Sequence, residues 1–212
     1  MSDIRFLVIE GNIGAGKTTL AKKIAGDYNA RIILERFADN PFLPKFYEDP
    51  ERYSFPLELS FLADRYHQLK EELITPDLFQ PLTVADYYFM KSLIFSRQTL
   101  SDDEYNLYKQ LFEIIHKSLP KPDLFVYLSM STDRLLEQIK QRGRVYEQKI
   151  SAAYLEKIHS SYLEFIKQQP SLPTLIIDAN NINFLNNEKD YKKITEAIFN
   201  KTYKPGAATI IL

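Results

Sequence analysis

Residues 9–20 read "IEGNIGAGKTTL", and few stretches leave a chain less freedom of fold. Gly11, Asn12, Ile13, Gly14, Ala15 and Gly16 lead into Lys17, Thr18 and Thr19, the full spacing of a phosphate-binding loop. Ahead of it, "IRFLVIE" is a short apolar run of the kind a buried parallel strand needs. Behind it, "KTTLAKKIAGDY" places Leu20 and Ile24 on one helical face. Strand, glycine turn and helix in that order aim backbone N–H groups and the positive end of a helix dipole at phosphate oxygens. Lys17 adds a point charge, and the Thr18 hydroxyl is a ligand for Mg²⁺. The chain is expected to bind a nucleoside triphosphate, although motors, switches and kinases all share this loop.

The remaining chain continues the alternation. "ARIILE", "LTVADYY", "DLFVYLSM" and "TLIIDA" read as further strands, separated by helical patterns. Residues 54–73 form the longest of these, with Phe55, Leu59, Leu62, Tyr66, Leu69 and Leu73 in a stripe. This predicts an α/β fold with a five-stranded parallel sheet flanked by helices. With 212 residues and 45 % hydrophobic content, one domain over residues 1–203 suffices. "TPDLFQP" at 75–81 reads as a turn-rich connection, and residues 204–212 as a loose tail.

Composition removes several alternatives. There is no cysteine, so disulfides, thiolate metal sites and cysteine nucleophiles are excluded. His67, His116 and His159 lie scattered without metal-site spacing. A net charge of −1 gives no general attraction to a nucleic acid polymer or an anionic membrane. No apolar run approaches the ~18 residues of a membrane span, and no leader precedes the first strand. A cytoplasmic protein is expected.

Active groups in open α/β sheets gather at the carboxyl ends of strands. Glu35 follows "RIIL" and Asp86 follows "LTVA". The first could accept a proton from an attacking hydroxyl, and the second could orient Mg²⁺ directly or through water. Position alone equally allows strand-end caps or ion pairs. Glu10 adjoins the loop and reads as structural. In "KQRGRVYEQK", Arg142 and Arg144 flank a glycine past a predicted helix, where they could close over a triphosphate as a mobile lid or simply complement the helix dipole.

Beyond these single residues, "GNIGAGKTTL", "LERF", "FYEDPERYSFPLELSFLADRYHQL", "VADYYF" and "RGRVYEQKISAAYLEKIHSSYLEFI" occur in order over residues 5–170. The set resembles the deoxynucleoside kinase family, and its "ADYY" strand end is similar to a bacterial branch that handles purine deoxynucleosides. The resemblance implies ATP as phosphate donor, Mg²⁺, a deoxynucleoside acceptor and a homodimer. It implies catalytic roles for Lys17, Arg142, Arg144 and Glu35, the last as general base for the 5′-hydroxyl. It further implies that Tyr47 and Glu147 hold the sugar 3′-hydroxyl, that Arg65 lies near the base and that Phe95 stacks on it.

Two departures stand out. Relatives often carry an arginine beside the third-strand acid; here Tyr87 follows Asp86, so Lys91 or Arg65 must supply that cation. Where many relatives have glutamine, this chain has Glu58. An ionised carboxylate only accepts hydrogen bonds, which suits the adjacent N1 and N2 donors of guanine better than the mixed edge of adenine. The expectation is 5′-phosphorylation of purine deoxynucleosides, deoxyguanosine before deoxyadenosine. A deoxyadenosine-preferring or broad kinase, a nucleoside monophosphate kinase and a nucleotide-driven switch are the competing readings.

Overall fold

Strand β1 (Phe6–Gly11) buries all its residues, because successive side chains point to opposite faces of a sheet covered on both sides. Leu7 and Ile9 join one core with Leu124, Val126 and Leu128 of β4 (Leu124–Ser129), whereas Phe6 and Val8 join a second with Phe125 and Tyr127. The structure is a computed structural model that describes residues 4–36, 40–74 and 79–212. The connection read at 75–81 therefore lies partly outside the described residues.

Over the first face pack α1 (Lys17–Asp27), α6 (Thr132–Arg142) and α8 (Glu188–Phe199), through Leu20, Ile24, Leu135, Ile139, Ile194 and Ile198. Over the second pack α3 (Pro50–Ile74), α4 (Lys91–Thr99), α5 (Asp102–His116) and α7 (Ala152–Gln168). A short helix, α2 (Leu43–Glu48), leads into α3 and had no periodic signal of its own. Helix α5 starts at a capping box in which Ser101 and Glu104 satisfy each other's backbone donors.

The sheet has six strands in the order β2 (Arg31–Ile33), β3 (Thr83–Ala85), β1, β4, β5 (Pro173–Asp178), β6 (Gly206–Ile211), and every pairing is parallel. The count of five strands and the loose tail at 204–212 are corrected here. Residues 206–211 run beside β5 in register from Pro173↔Gly206 to Asp178↔Ile211. The backbone groups on the outer edge of β5 supply the reason: pairing satisfies them, and Ile210 and Leu212 then rest against the core. With its other side exposed at Ile211, β6 lacks the continuous apolar run of a buried strand.

Strand β1 lies between β3 and β4, so the chain departs to opposite sides of it and leaves a crevice at the carboxyl ends. The glycine loop follows β1, Glu35 comes two residues past β2, and Asp86 directly follows β3. Among the described residues, no helix is long and apolar enough to cross a membrane.

Candidate active site

The loop is tight because its glycines permit it. Gly16 caps α1 in the left-handed region, and a Cβ there would stand 2.8 Å from the Phe184 ring. Gly14 has φ 87°, and a Cβ would meet Ile139 and the Leu135 carbonyl at 3.0 Å. Asn12 anchors the turn by donating to the Leu155 carbonyl at 2.7 Å and accepting from the Ile13 N–H at 2.8 Å. Lys17 donates to the Asn12 carbonyl at 2.8 Å. Burial, reinforced by Lys91, lowers the Lys17 pKa to about 8 against the pull of Glu10, Glu35 and Asp86. In the first turn of α1, the Thr19 and Leu20 N–H groups donate to the Gly16 carbonyl at 3.1 and 3.0 Å, and the positive end of the helix dipole adjoins the glycine loop.

Asp86 joins two elements of the site. One oxygen accepts from the Thr18 hydroxyl, and the other accepts the Glu35 N–H at 2.8 Å. A hydroxyl and a carboxylate side by side are hard oxygen donors of the kind Mg²⁺ takes, so the residues fit a Mg²⁺ site at Thr18 and Asp86. Among the described residues no cluster of three or more His, Cys, Asp or Glu could hold a metal on protein ligands alone.

The two candidate cations both bind Glu35. Arg65 Nε and Nη2 donate to Oε1 at 2.9 and 2.7 Å, while Lys91 Nζ donates to Oε2 at 2.5 Å. Ser92, fully buried, receives the remaining Arg65 contact at 2.9 Å. Burial pushes the Glu35 pKa up, but Lys91 and Arg65 outweigh it and hold the group at about 2. Glu10 is a buried prop: it accepts from the Tyr88 N–H at 2.9 Å and the Tyr162 hydroxyl at 2.8 Å. Desolvation raises its pKa, with Lys91 and Lys17 opposing.

Helix α3 turns Glu58, Phe61, Leu62 and Arg65 inward together, as their 3–4–7 spacing requires. Glu58 is 2 % exposed, and its Oε1 accepts the Thr99 hydroxyl at 2.8 Å. Its Oε2 is buried with no hydrogen-bond partner. Burial raises the Glu58 pKa to about 7, opposed by Arg65 and the Thr99 hydrogen bond. An acid whose folded pKa exceeds its unfolded one destabilises the fold when ionised. The cost is absent below about pH 4.5, grows through the interval and is complete above about pH 7. Glu58→Gln is therefore expected to raise thermal stability at pH 8 by on the order of 2–3 kcal/mol and to change it little near pH 4.5. Melting curves at the two pH values check this; an equal shift at both would show that Glu58 does not titrate in the fold.

The residues expected to form a lid lie together. Helix α6 ends at Gly143 in the left-handed region, and a 3₁₀ turn follows over Val145–Lys149. Arg142 pairs with Glu147 Oε2, and Arg144 pairs with Oε1 at 3.1 Å. Both arginines line the hollow beside the glycine loop and a second one next to it, bounded by Glu35 and Glu58. Glu35, Glu58, Arg65, Phe95 and Glu147 line that second hollow. Tyr47 instead lines the adjoining hollow and stacks on Tyr146 with ring centroids 5.8 Å apart. Burial, with Glu147 next, raises its hydroxyl pKa far above the usual phenol range. Sequence reasoning missed Thr99 and Tyr154, which the packing of α4 on α3 and of α7 on α4 brings to the site.

Comparison with known proteins follows the same lines. A sequence model described as deoxynucleoside kinase matches residues 7–204. Deoxyguanosine kinase of Bacillus subtilis is 40 % identical over 202 residues, covering 92 % of this chain and 96 % of the relative. Deoxyadenosine/deoxycytidine kinase of the same organism is 32 % identical over 196 residues, covering 91 % and 90 %. The structure of deoxyadenosine kinase from M. mycoides with bound dATP aligns with a TM-score of 0.79 at 25 % identity, covering 92 % of this chain and 98 % of that one.

Proposed function

The chain belongs to the deoxynucleoside kinase family, and from that premise we propose that it transfers the γ-phosphoryl group of ATP to the 5′-hydroxyl of purine deoxynucleosides, deoxyguanosine ahead of deoxyadenosine. The observation that carries the base preference is the partnerless, buried Oε2 of Glu58 in the acceptor hollow. Leaving such an acceptor unpaired costs about 1–3 kcal/mol, which a donor on the base recovers. Guanine presents two adjacent donors; adenine places an acceptor beside its donor, against a carboxylate that accepts only. The relatives include kinases named for each purine, so the choice rests on this residue.

In this reading the glycine loop and Lys17 grip the triphosphate, and Thr18 with Asp86 hold Mg²⁺. When bound, that ion neutralises charge on the phosphate oxygens. Glu35, ionised throughout the physiological range, takes a hydrogen bond from the 5′-hydroxyl and points it in line. Its low basicity suits a loose transition state, in which the nucleophile keeps its proton until late. Lys91 and Arg65 supply the positive charge that the missing arginine beside Asp86 would have given. Phe95 offers its ring to the base, and Tyr47 and Glu147 approach the 3′-hydroxyl from the lid side. Arg142 and Arg144, now held by Glu147, turn to the moving phosphoryl group as the lid excludes water.

Initial rates on the four deoxynucleosides with Mg·ATP test the proposal. The expected order is deoxyguanosine, then deoxyadenosine, with pyrimidines last. Glu58→Gln, which restores a donor beside an acceptor, should lower the deoxyguanosine to deoxyadenosine ratio of kcat/KM by about one to two decades. A pyrimidine preference, or an unchanged ratio in the variant, would remove Glu58 as the discriminator.

A further inference from the structure

Thr99, the last residue of α4, places its hydroxyl 2.8 Å from Glu58 Oε1 and 3.2 Å from the Phe95 carbonyl. A hydroxyl carries one proton and cannot donate to both. Donating to Glu58 stabilises the carboxylate charge; donating to Phe95 would leave Thr99 an acceptor, able to take a proton from Oε1. We propose that Thr99 is a specificity-positioning residue: by donating to Oε1 it confines any proton to Oε2, so that Glu58 shows the base either an all-acceptor carboxylate, matched to guanine, or a donor beside an acceptor, matched to adenine. The inference rests on the reading of Glu58 as the base contact and adds to it a residue that never touches substrate and a pH-dependent choice between two purines.

The surroundings are built for such a choice. Arg65 from α3 and Lys91 from α4 favour the ionised form of Glu58, while Glu35 past β2 opposes it. From α5, the Tyr108 hydroxyl approaches the Glu58 main-chain carbonyl at 3.3 Å, and from α7 Tyr154 is electrostatically coupled to Glu58. Burial favours the protonated form of Glu58 and Arg65 opposes it, while the Thr99 hydroxyl is the side-chain hydrogen bond that favours the carboxylate. Thr99 also lines the adjoining hollow, and it reaches the acceptor hollow through Glu58.

The ratio of kcat/KM for deoxyguanosine to that for deoxyadenosine isolates the effect, since ATP binding, Glu35 and the lid serve both substrates and cancel. In the wild type this ratio should climb with pH between about pH 6 and about pH 8.5, as Oε2 loses its proton. Thr99→Val keeps the shape and removes the donor, so the carboxylate loses stabilisation and the midpoint moves up by about one pH unit. At pH 7 the ratio should fall roughly three- to tenfold. Thr99→Ser should restore both midpoint and ratio, and Thr99→Ala serves as a second hydroxyl-free variant should the valine fail to fold. A midpoint and ratio unchanged in folded Thr99→Val or Thr99→Ala, while Glu58→Gln still lowers the ratio, overturn the role of Thr99 and leave that of Glu58 standing. A ratio insensitive to Glu58→Gln overturns both.

Discussion

Glu35→Gln is expected to lower kcat by about two to four orders of magnitude while KM for deoxyguanosine stays within a few-fold. The amide keeps the size of the side chain but can neither take the hydroxyl proton nor carry the charge that aligns it. The same change should weaken the fold. Arg65 and Lys91 are buried, and both are neutralised by this one carboxylate; removing the charge leaves two cations facing each other across a neutral group, at about 3–5 kcal/mol. The pH dependence follows from the sign of the shift. A carboxylate held at about 2 in the fold, against about 4.5 unfolded, contributes stability that is complete above the unfolded value and is lost as pH falls through the folded one. In the wild type, protonation of Glu35 should therefore take no activity above about pH 4. Rates must be normalised to the folded fraction, read by circular dichroism at the assay temperature. Turnover within a few-fold of wild type would mean that another group takes the proton.

How much of this site was legible in the sequence depended on what each residue's neighbours in sequence could reveal. The glycine loop declares itself because its pattern is local: nine consecutive residues form it. Glu35 and Asp86 were legible as strand ends, yet the bond from Thr18 to Asp86 joins positions 68 apart and needed the fold. Helix α3 shows a subtler failure. A stripe of apolar residues was read through Leu59, but Leu59 is 38 % exposed, and the inward face carries Glu58, Arg65 and Gln68. The rest of the stripe does face the core, through buried Leu62 and Leu69 with Phe55, Tyr66 and Leu73 packed against it; beside the active site the same helix also turns polar residues inward. The tail misled for the opposite reason, because β6 is bound chiefly through its backbone, to which composition is blind.

Lys17→Met provides the complementary experiment, because the charge it removes is one the fold holds at a cost. A lysine whose folded pKa lies at about 8, below its unfolded value, destabilises the fold at neutral pH by up to about 3 kcal/mol. That cost disappears only as pH rises through 8 toward the unfolded value. The variant should therefore melt no lower than wild type at pH 7, even though the Asn12 carbonyl loses its donor. Catalysis should nonetheless fall by about 10³-fold or more in kcat/KM for ATP, since the cation between the glycine loop and the moving phosphates is gone. A second signature needs no turnover. Triphosphate binding surrounds Lys17 with negative charge and restores its proton, so ATP association near pH 8 should take up about half a proton, and far less near pH 6. Calorimetry in two buffers of different ionisation heat measures that uptake directly. Wild-type uptake that persists in Lys17→Met, or a variant within tenfold of full activity, would show that this ammonium is not what meets the phosphates. Loss of activity with stability retained at Lys17, beside loss of both at Glu35, is the contrast that separates gripping the donor from aligning the acceptor.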